Sequence, residues 1–212
     1  MMIKEAIEIA GELSKPSKMP GYSYGLPAEE CITGSKLVDV EGSVCHGCYA
    51  LKGFYALYAK TIKPSQYKHL EAINHPLWIE AMVTLIGKRC ASEPFFRWHD
   101  SGDLQSFDHL GRIVAIAKAL PNVHFWLPTR EYAIVQRYLD REAFPSNLVV
   151  RVSAHKVDGP HPNLGNLPTS GVHTTQAPAG CFECPARKQD NKCGDCRACW
   201  QPSTVAVSYH VH

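Results

Sequence analysis

Eight of the nine cysteines in this 212-residue chain fall into two groups. Cys31, Cys45 and Cys48 form the first; Cys181, Cys184, Cys193, Cys196 and Cys199 form the second. Both use two-residue gaps: Cys45-His46-Gly47-Cys48, and Cys193-Gly194-Asp195-Cys196-Arg197-Ala198-Cys199. Such a gap lets two thiolates turn onto one metal centre. The chemistry these residues could do is metal ligation, with iron–sulfur ahead of zinc.

The spacing of the second group is that of bacterial ferredoxins, which hold a [4Fe–4S] cluster on cysteine thiolates. Cys184, followed by Pro185 and eight residues before Cys193, offers the fourth ligand, with Cys181 as the alternative. Zinc would instead take the pairs Cys181/Cys184 and Cys193/Cys196. That eight-residue spacer is shorter than the usual ~12–20 and leaves Cys199 over. In the first group, Cys45 and Cys48 are the stronger candidates, and thirteen residues separate Cys31 from Cys45. A trio leaves one iron open for another ligand. Alternatively, a thiolate from the second group folds back and closes a single shared cluster for structure or electron transfer. Cys90 stands apart and reads as a buried thiol acting as a small hydrophobe. His46 reads as spacer, and His161, His173, His210 and His212 as surface histidines.

Composition narrows the setting. The net charge of +2, with 45% hydrophobic and 20% charged residues, is ordinary for a soluble globular protein. It is too mild to argue for nucleic acid, and the basic tint of Arg187, Lys188, Lys192 and Arg197 reads as a solvated face. No apolar run is long enough to cross a membrane. The first residues form an amphipathic, partly acidic pattern without the marks of a secretory signal, so a cytosolic location is expected. A reducing compartment and an odd thiol count favour ligation over disulfides.

The elements that must position these groups follow from periodicity. Residues 3–14 have a helical pattern, and Lys15 to Gly34 reads as irregular chain. Tyr49 to Thr61 is expected to be helical, with Leu51, Tyr55, Tyr58 and Ala59 inward. A second helix starts near Pro64, breaks at Asn74-His75-Pro76 and resumes through Trp78, Ala81, Met82 and Leu85. Strand and helix then alternate: strands at 95–99, 123–127 and 148–153, helices at 107–120 and 131–141. That order predicts βαβαβ with parallel strands. Short strands are expected at 172–175 and within 203–209.

Ligands of parallel α/β folds bind at the carboxyl ends of the strands, and here those ends are polar. They carry His99-Asp100-Ser101-Gly102-Asp103, then Thr129-Arg130-Glu131, then Ser153-Ala154-His155. Taken singly, Asp100, Ser101, Asp103 and Thr129 read equally well as helix caps.

In this order the chain resembles the radical S-adenosylmethionine (SAM) superfamily. There a cysteine loop after the first strand precedes a Gly-Gly-Glu-Pro-like strand end and a later Ser-x-Asp-Gly-like one. Cys31…Cys45-x-x-Cys48-Tyr49-Ala50, then Ser101-Gly102-Asp103-Leu104, then Val152-Ser153-Ala154 stand in that order over roughly Glu30 to Gly159. The Cys-x-x-Cys-Tyr-Ala segment and the terminal Cys-x-x-Cys-x-x-Cys-Trp also resemble a little-characterised group of bacteriophage proteins. Two departures are clear: the superfamily loop is Cys-x-x-x-Cys-x-x-Cys, and Asp103 replaces a Glu.

The resemblance implies an α/β fold, a partial (β/α) barrel with parallel strands, plus a C-terminal cysteine-rich segment. Residues 1–160 would form the barrel and 161–212 an extension packed on it. It implies a [4Fe–4S] cluster on Cys31, Cys45 and Cys48 in a phage protein of the host cytoplasm. SAM would be lined by Ser101, Asp103, Arg130 and Ser153, and Cys184, Cys193, Cys196 and Cys199 would be further metal ligands. The competing expectations are a non-enzymatic iron–sulfur protein with a redox partner, and a zinc-stabilised module binding nucleic acid or protein.

Overall fold

The strand-type segments near 95 and 124 are each followed by a helix that carries the chain back to the same edge, which makes the strands they join parallel. The computed structural model, which describes residues 1–52 and 57–211, contains a seven-stranded sheet in which every pairing is parallel. The strands are β1 (Tyr22–Tyr24), β2 (Phe95–Trp98), β3 (His124–Thr129), β4 (Leu148–Val157), β5 (Thr169–His173), β6 (Phe182–Glu183) and β7 (Ala206–His210). Their order is β1-β2-β3-β4-β5-β7-β6. The sheet is open, with β1 and β6 at its edges, and is consistent with a partial β/α barrel. The α-helices that frame the sheet are α1 (Ile3–Ala10), α2 (Gly34–Leu37), α3 (Ala59–Ala72), α4 (Trp78–Arg89), α5 (Phe107–Ala119) and α6 (Tyr132–Leu139).

The βαβαβ pattern from 95 to 153 is present as expected, and β4 runs on to Val157. β1 lies in chain that reads as irregular. Three residues are too short for a periodic signal, and β1 exists through its pairing with β2, Tyr22 opposite Phe96 and Tyr24 opposite Trp98. The expected helix from Tyr49 falls partly on 53–56, including Tyr55, which lie outside the described residues. Residues 49–52 form turns, and α3 passes through Pro64 instead of starting there. Segment 161–212, expected as an extension packed on the barrel, supplies β5, β6 and β7 to the same sheet. No helix among the described residues is long and apolar enough to cross a membrane.

The two faces of the sheet differ. Phe96, Trp98, Phe125, Leu127, Leu148, Val150 and Val152 join the helices' apolar sides, such as Trp78, Met82, Leu85, Leu110 and Ile113, in one core. The alternate residues Arg97, Trp126, Val149, Arg151 and Ser153 point to the opposite face, as strand geometry requires. The C-terminal segment covers that face. Trp200 packs edge-on against Trp126 and Phe95, with centroids 5.2 and 5.6 Å away, and its indole N–H donates to Phe96 O at 3.0 Å. Coverage of both faces explains the unbroken burial of β4 from Leu148 to Ala154.

Gly102 lies just beyond β2 at φ +79°, and a Cβ there would stand 2.6 Å from Leu26 Cβ and 2.8 Å from Leu26 O. The clash is with backbone, because Leu26 N–H donates to Ser101 O at 2.8 Å. Gly102→Ala is therefore expected to cost about 2–3 kcal/mol of stability. Denaturant unfolding checks this; a change within error would mean that Leu26 can move aside.

Two buried imidazoles lie between β2 and α5. His99, at φ 55°, and His109 meet edge-on at 5.5 Å. Gln105 N–H donates to His109 Nδ1 at 3.3 Å, so that nitrogen is unprotonated. Burial, then Arg112, pushes His109 down to about 3, and burial, then His109, then Arg97, holds His99 well below its usual range. The native state thus stays neutral where the unfolded chain, near 6.5, takes up protons. Stability is complete above 6.5 and is lost as pH falls toward 3. Denaturant unfolding at pH 5 should show about 2 kcal/mol less stability than at pH 7 from His109 alone, with His99 adding in the same direction. His109→Gln should remove its share of this slope; an unchanged slope would count against it.

Candidate metal and cofactor site at the carboxyl edge

All seven strands end at one edge, and the chain from β1 to Cys48 is laid across it. Tyr49 O–H donates to Asp100 O, Gln105 Nε2 donates to Glu30 O at 3.2 Å, and Thr33 donates both N–H and O–H to the Glu131 carboxylate at 2.8 Å each. The far end of β4 takes the loop as a partner: Val44 N–H donates to His155 O at 2.8 Å and Val157 N–H to Gly42 O at 2.9 Å. The extra length of β4 beyond Ser153 is thus used to seat the cysteine loop.

This clamping gathers the first thiols. A Cβ on Gly34 would stand 2.9 Å from Cys31 Cβ, 3.5 Å from Cys31 Sγ and 3.7 Å from Cys45 Sγ, so both cysteines lie on the same side of Gly34 and a larger residue there would crowd Cys31. Burial, then the charges of Asp103, Cys48, Cys45 and Glu131, hold the Cys31 thiol well above its usual range. Burial also raises Cys45, with Arg130 acting against it and Cys48 and Asp103 with it. The trio therefore lies at the ends of β2 and β3, among one guanidinium and two carboxylates.

The expected cofactor residues have distinct surroundings. Asp103 is buried and already accepts three hydrogen bonds: Leu104 N–H at 2.7 Å, Thr129 O–H at 2.6 Å and Arg130 N–H at 2.9 Å. Burial still pushes it up to about 6. Arg130 Nε donates to Ala154 O at 3.1 Å. Ser153 accepts from Ser170 at 2.9 Å. The Ser101 hydroxyl is buried and has no hydrogen-bond partner among the described residues. Sequence reasoning missed Glu131 as the loop's clamp and the flat stack of Tyr132 on His155, with centroids 4.5 Å apart. Glu131 sits inside a strand-end motif, but nothing in sequence pairs it with Thr33, 98 positions away.

The tail thiols form a second neighbourhood. Cys184 and Cys196 weigh on Cys193, while Cys184 and Cys193 weigh on Cys199, which burial pushes up to about 12. Cys199 Sγ lies 3.1 Å from Tyr209 Oη on β7. Cys181 has a different partner, His161 Nε2 at 3.5 Å. Among the described residues, no group of three or more His, Cys, Asp or Glu is arranged to hold a metal ion. Cys90 is buried, with its thiol 3.6 Å from Phe95 O. His173, expected at the surface, is buried in β5 and bonds Ser208 at 2.7 Å, and His212 lies outside the described residues.

Fold and site together define an open parallel α/β sheet with a thiol-bearing loop across its carboxyl edge and a second thiol group in the segment covering its inner face. The sequence matches the family described as Gene product 88 over residues 3–202, and the chain belongs to that phage-type family. No curated protein and no solved structure matches it.

Proposed function

We propose that this protein is an iron–sulfur protein of the radical SAM type, with Cys31, Cys45 and Cys48 as the protein ligands of a [4Fe–4S] cluster at the carboxyl edge. The observation that carries the reading is that Cys31 and Cys45 meet beside Gly34, with Cys48 close enough to act on both, at the polar ends of β2 and β3. The thiols that weigh on Cys31 are Cys48 and Cys45, and those that weigh on Cys199 are Cys184 and Cys193. This favours two thiol groups over one shared set, and a trio leaves one iron for a small-molecule ligand.

A reduced cluster held by Cys31, Cys45 and Cys48 would supply one-electron chemistry toward SAM bound beside it. The chain's own residues hold and tune the site. Thr33 and Glu131 fix the loop, Arg130 favours the thiolate of Cys45, and the Ser101 hydroxyl, with no hydrogen-bond partner among the described residues, is free to bond a ligand. The raised thiols stay protonated until metal displaces their protons, so loading releases acid.

Asp103 supports a second reading. Its carboxylate already takes three donors, so it is better suited to stapling β2 to β3 than to holding the amino group of SAM. On that reading the cluster serves redox or structure. The test is anaerobic reconstitution with iron and sulfide, then SAM with a reductant. The expected result is a brown protein that yields 5′-deoxyadenosine. A loaded protein with no such product leaves the redox reading, and a protein that takes up neither iron nor sulfide ends both.

A further inference from the structure

Arg151 is fully buried in the middle of β4, on the face covered by the C-terminal segment. Its Nη1 donates to Thr169 O at 2.9 Å and Thr204 O at 3.0 Å, and its Nη2 to Ala198 O at 3.3 Å and Gln201 O at 3.4 Å. Its Nε has no hydrogen-bond partner among the described residues. Among the described residues, the hydrogen-bond acceptors of this cation are carbonyls, and no carboxylate pairs with it. A buried charge without a counter-charge costs several kcal/mol, and carbonyl dipoles offset only part of that.

The groups beside it that can become anions are Cys199 and Tyr209, which act to raise the guanidinium against its burial. Two of the carbonyls it grips, Ala198 and Gln201, flank Cys199 in sequence, so the same contacts that orient Arg151 hold the end of the cysteine segment. Two further cations stand near: Arg97 and Arg197 both favour the thiolate of Cys193. Arg197 is also paired with Glu93 at 3.6 Å, so Arg151 is the cation for which neutral thiols supply no counter-charge. Four thiolates on a [4Fe–4S] cluster, or on zinc, make a doubly negative group that supplies one.

We infer that Cys184, Cys193, Cys196 and Cys199 hold a second, fully thiolate-ligated metal centre, and that Arg151 is its buried counter-charge. Arg151 acts as a positioning residue. It fixes the backbone around Cys199 and favours the more negative state of the centre, so it raises the reduction potential of a cluster held there.

The test uses the full chain carrying Cys45→Ala and Cys48→Ala, which removes the edge trio, so failure of the radical SAM reading does not affect it. After anaerobic loading with iron and sulfide, or with zinc alone, the tail should retain metal. Adding Arg151→Met should weaken retention against a chelator at least tenfold with either metal, and with iron it should move the midpoint potential to more negative values. Arg151→Lys should restore most of both, because it returns the charge. Should Arg151→Met fail to fold, Arg151→Gln is read by the same two measures. No metal on the tail would overturn the inference. So would a folded neutral variant with unchanged retention and potential.

Discussion

Replacing Cys45 and Cys48 together with Ala is expected to halve the iron of the reconstituted protein, from about eight to about four per chain if each thiol group holds a [4Fe–4S] cluster. Cys193→Ala with Cys196→Ala should do the same from the other side, and the four-fold variant should bind none. The physical basis is the separation of the two neighbourhoods. Cys31, Cys45 and Cys48 lie at the carboxyl edge with Asp103 and Arg130, whereas Cys199 lies against Tyr209 and Arg151 on the inner face. Iron and sulfide analysis, with the visible absorption of each variant, measures it. If either pair alone abolishes all iron, the two groups share one cluster, and the trio has no open position.

Trp200→Ala is the second large effect, with an expected loss of about 3–5 kcal/mol. Trp200 is almost fully buried, stacks edge-on against Trp126 and Phe95, and satisfies Phe96 O through its indole N–H. Removing the ring opens a cavity between the sheet and the segment that covers it and leaves the carbonyl without its side-chain donor. The cost should be local first: limited proteolysis ought to cut within 180–204 before it cuts the strands. The same variant should lose metal from the tail while the edge site still loads. A change in unfolding free energy below about 1 kcal/mol would show that the segment is held by β7 and Arg151 instead.

Periodicity carried much of the architecture. The alternation of β2, α5, β3, α6 and β4 is legible because each element buries a regular apolar face, and that face leaves its period in the sequence. β1 and β6 are not legible, since two- and three-residue strands have no period and exist only through a neighbour. The thiols were legible as two groups because ligand spacing is local. The clamp that seats the first group, Thr33 on Glu131, is not local and left no mark. Arg151 did leave one, an arginine within the run Val149-Val150-Arg151-Val152, and its meaning needed the covering segment to be in place.

By itself, then, the sequence determined the thiols, their two groupings and the parallel α/β order, because these depend on near neighbours along the chain. Only the tertiary structure decided that Cys31 stands beside Cys45 across thirteen residues, that Cys181 pairs with His161, and that a lone buried guanidinium stands beside the tail thiols. Those contacts depend on where parallel strands bring distant loops together. That placement is set by packing on both faces of the sheet and by the clamps at its edge, not by local propensity.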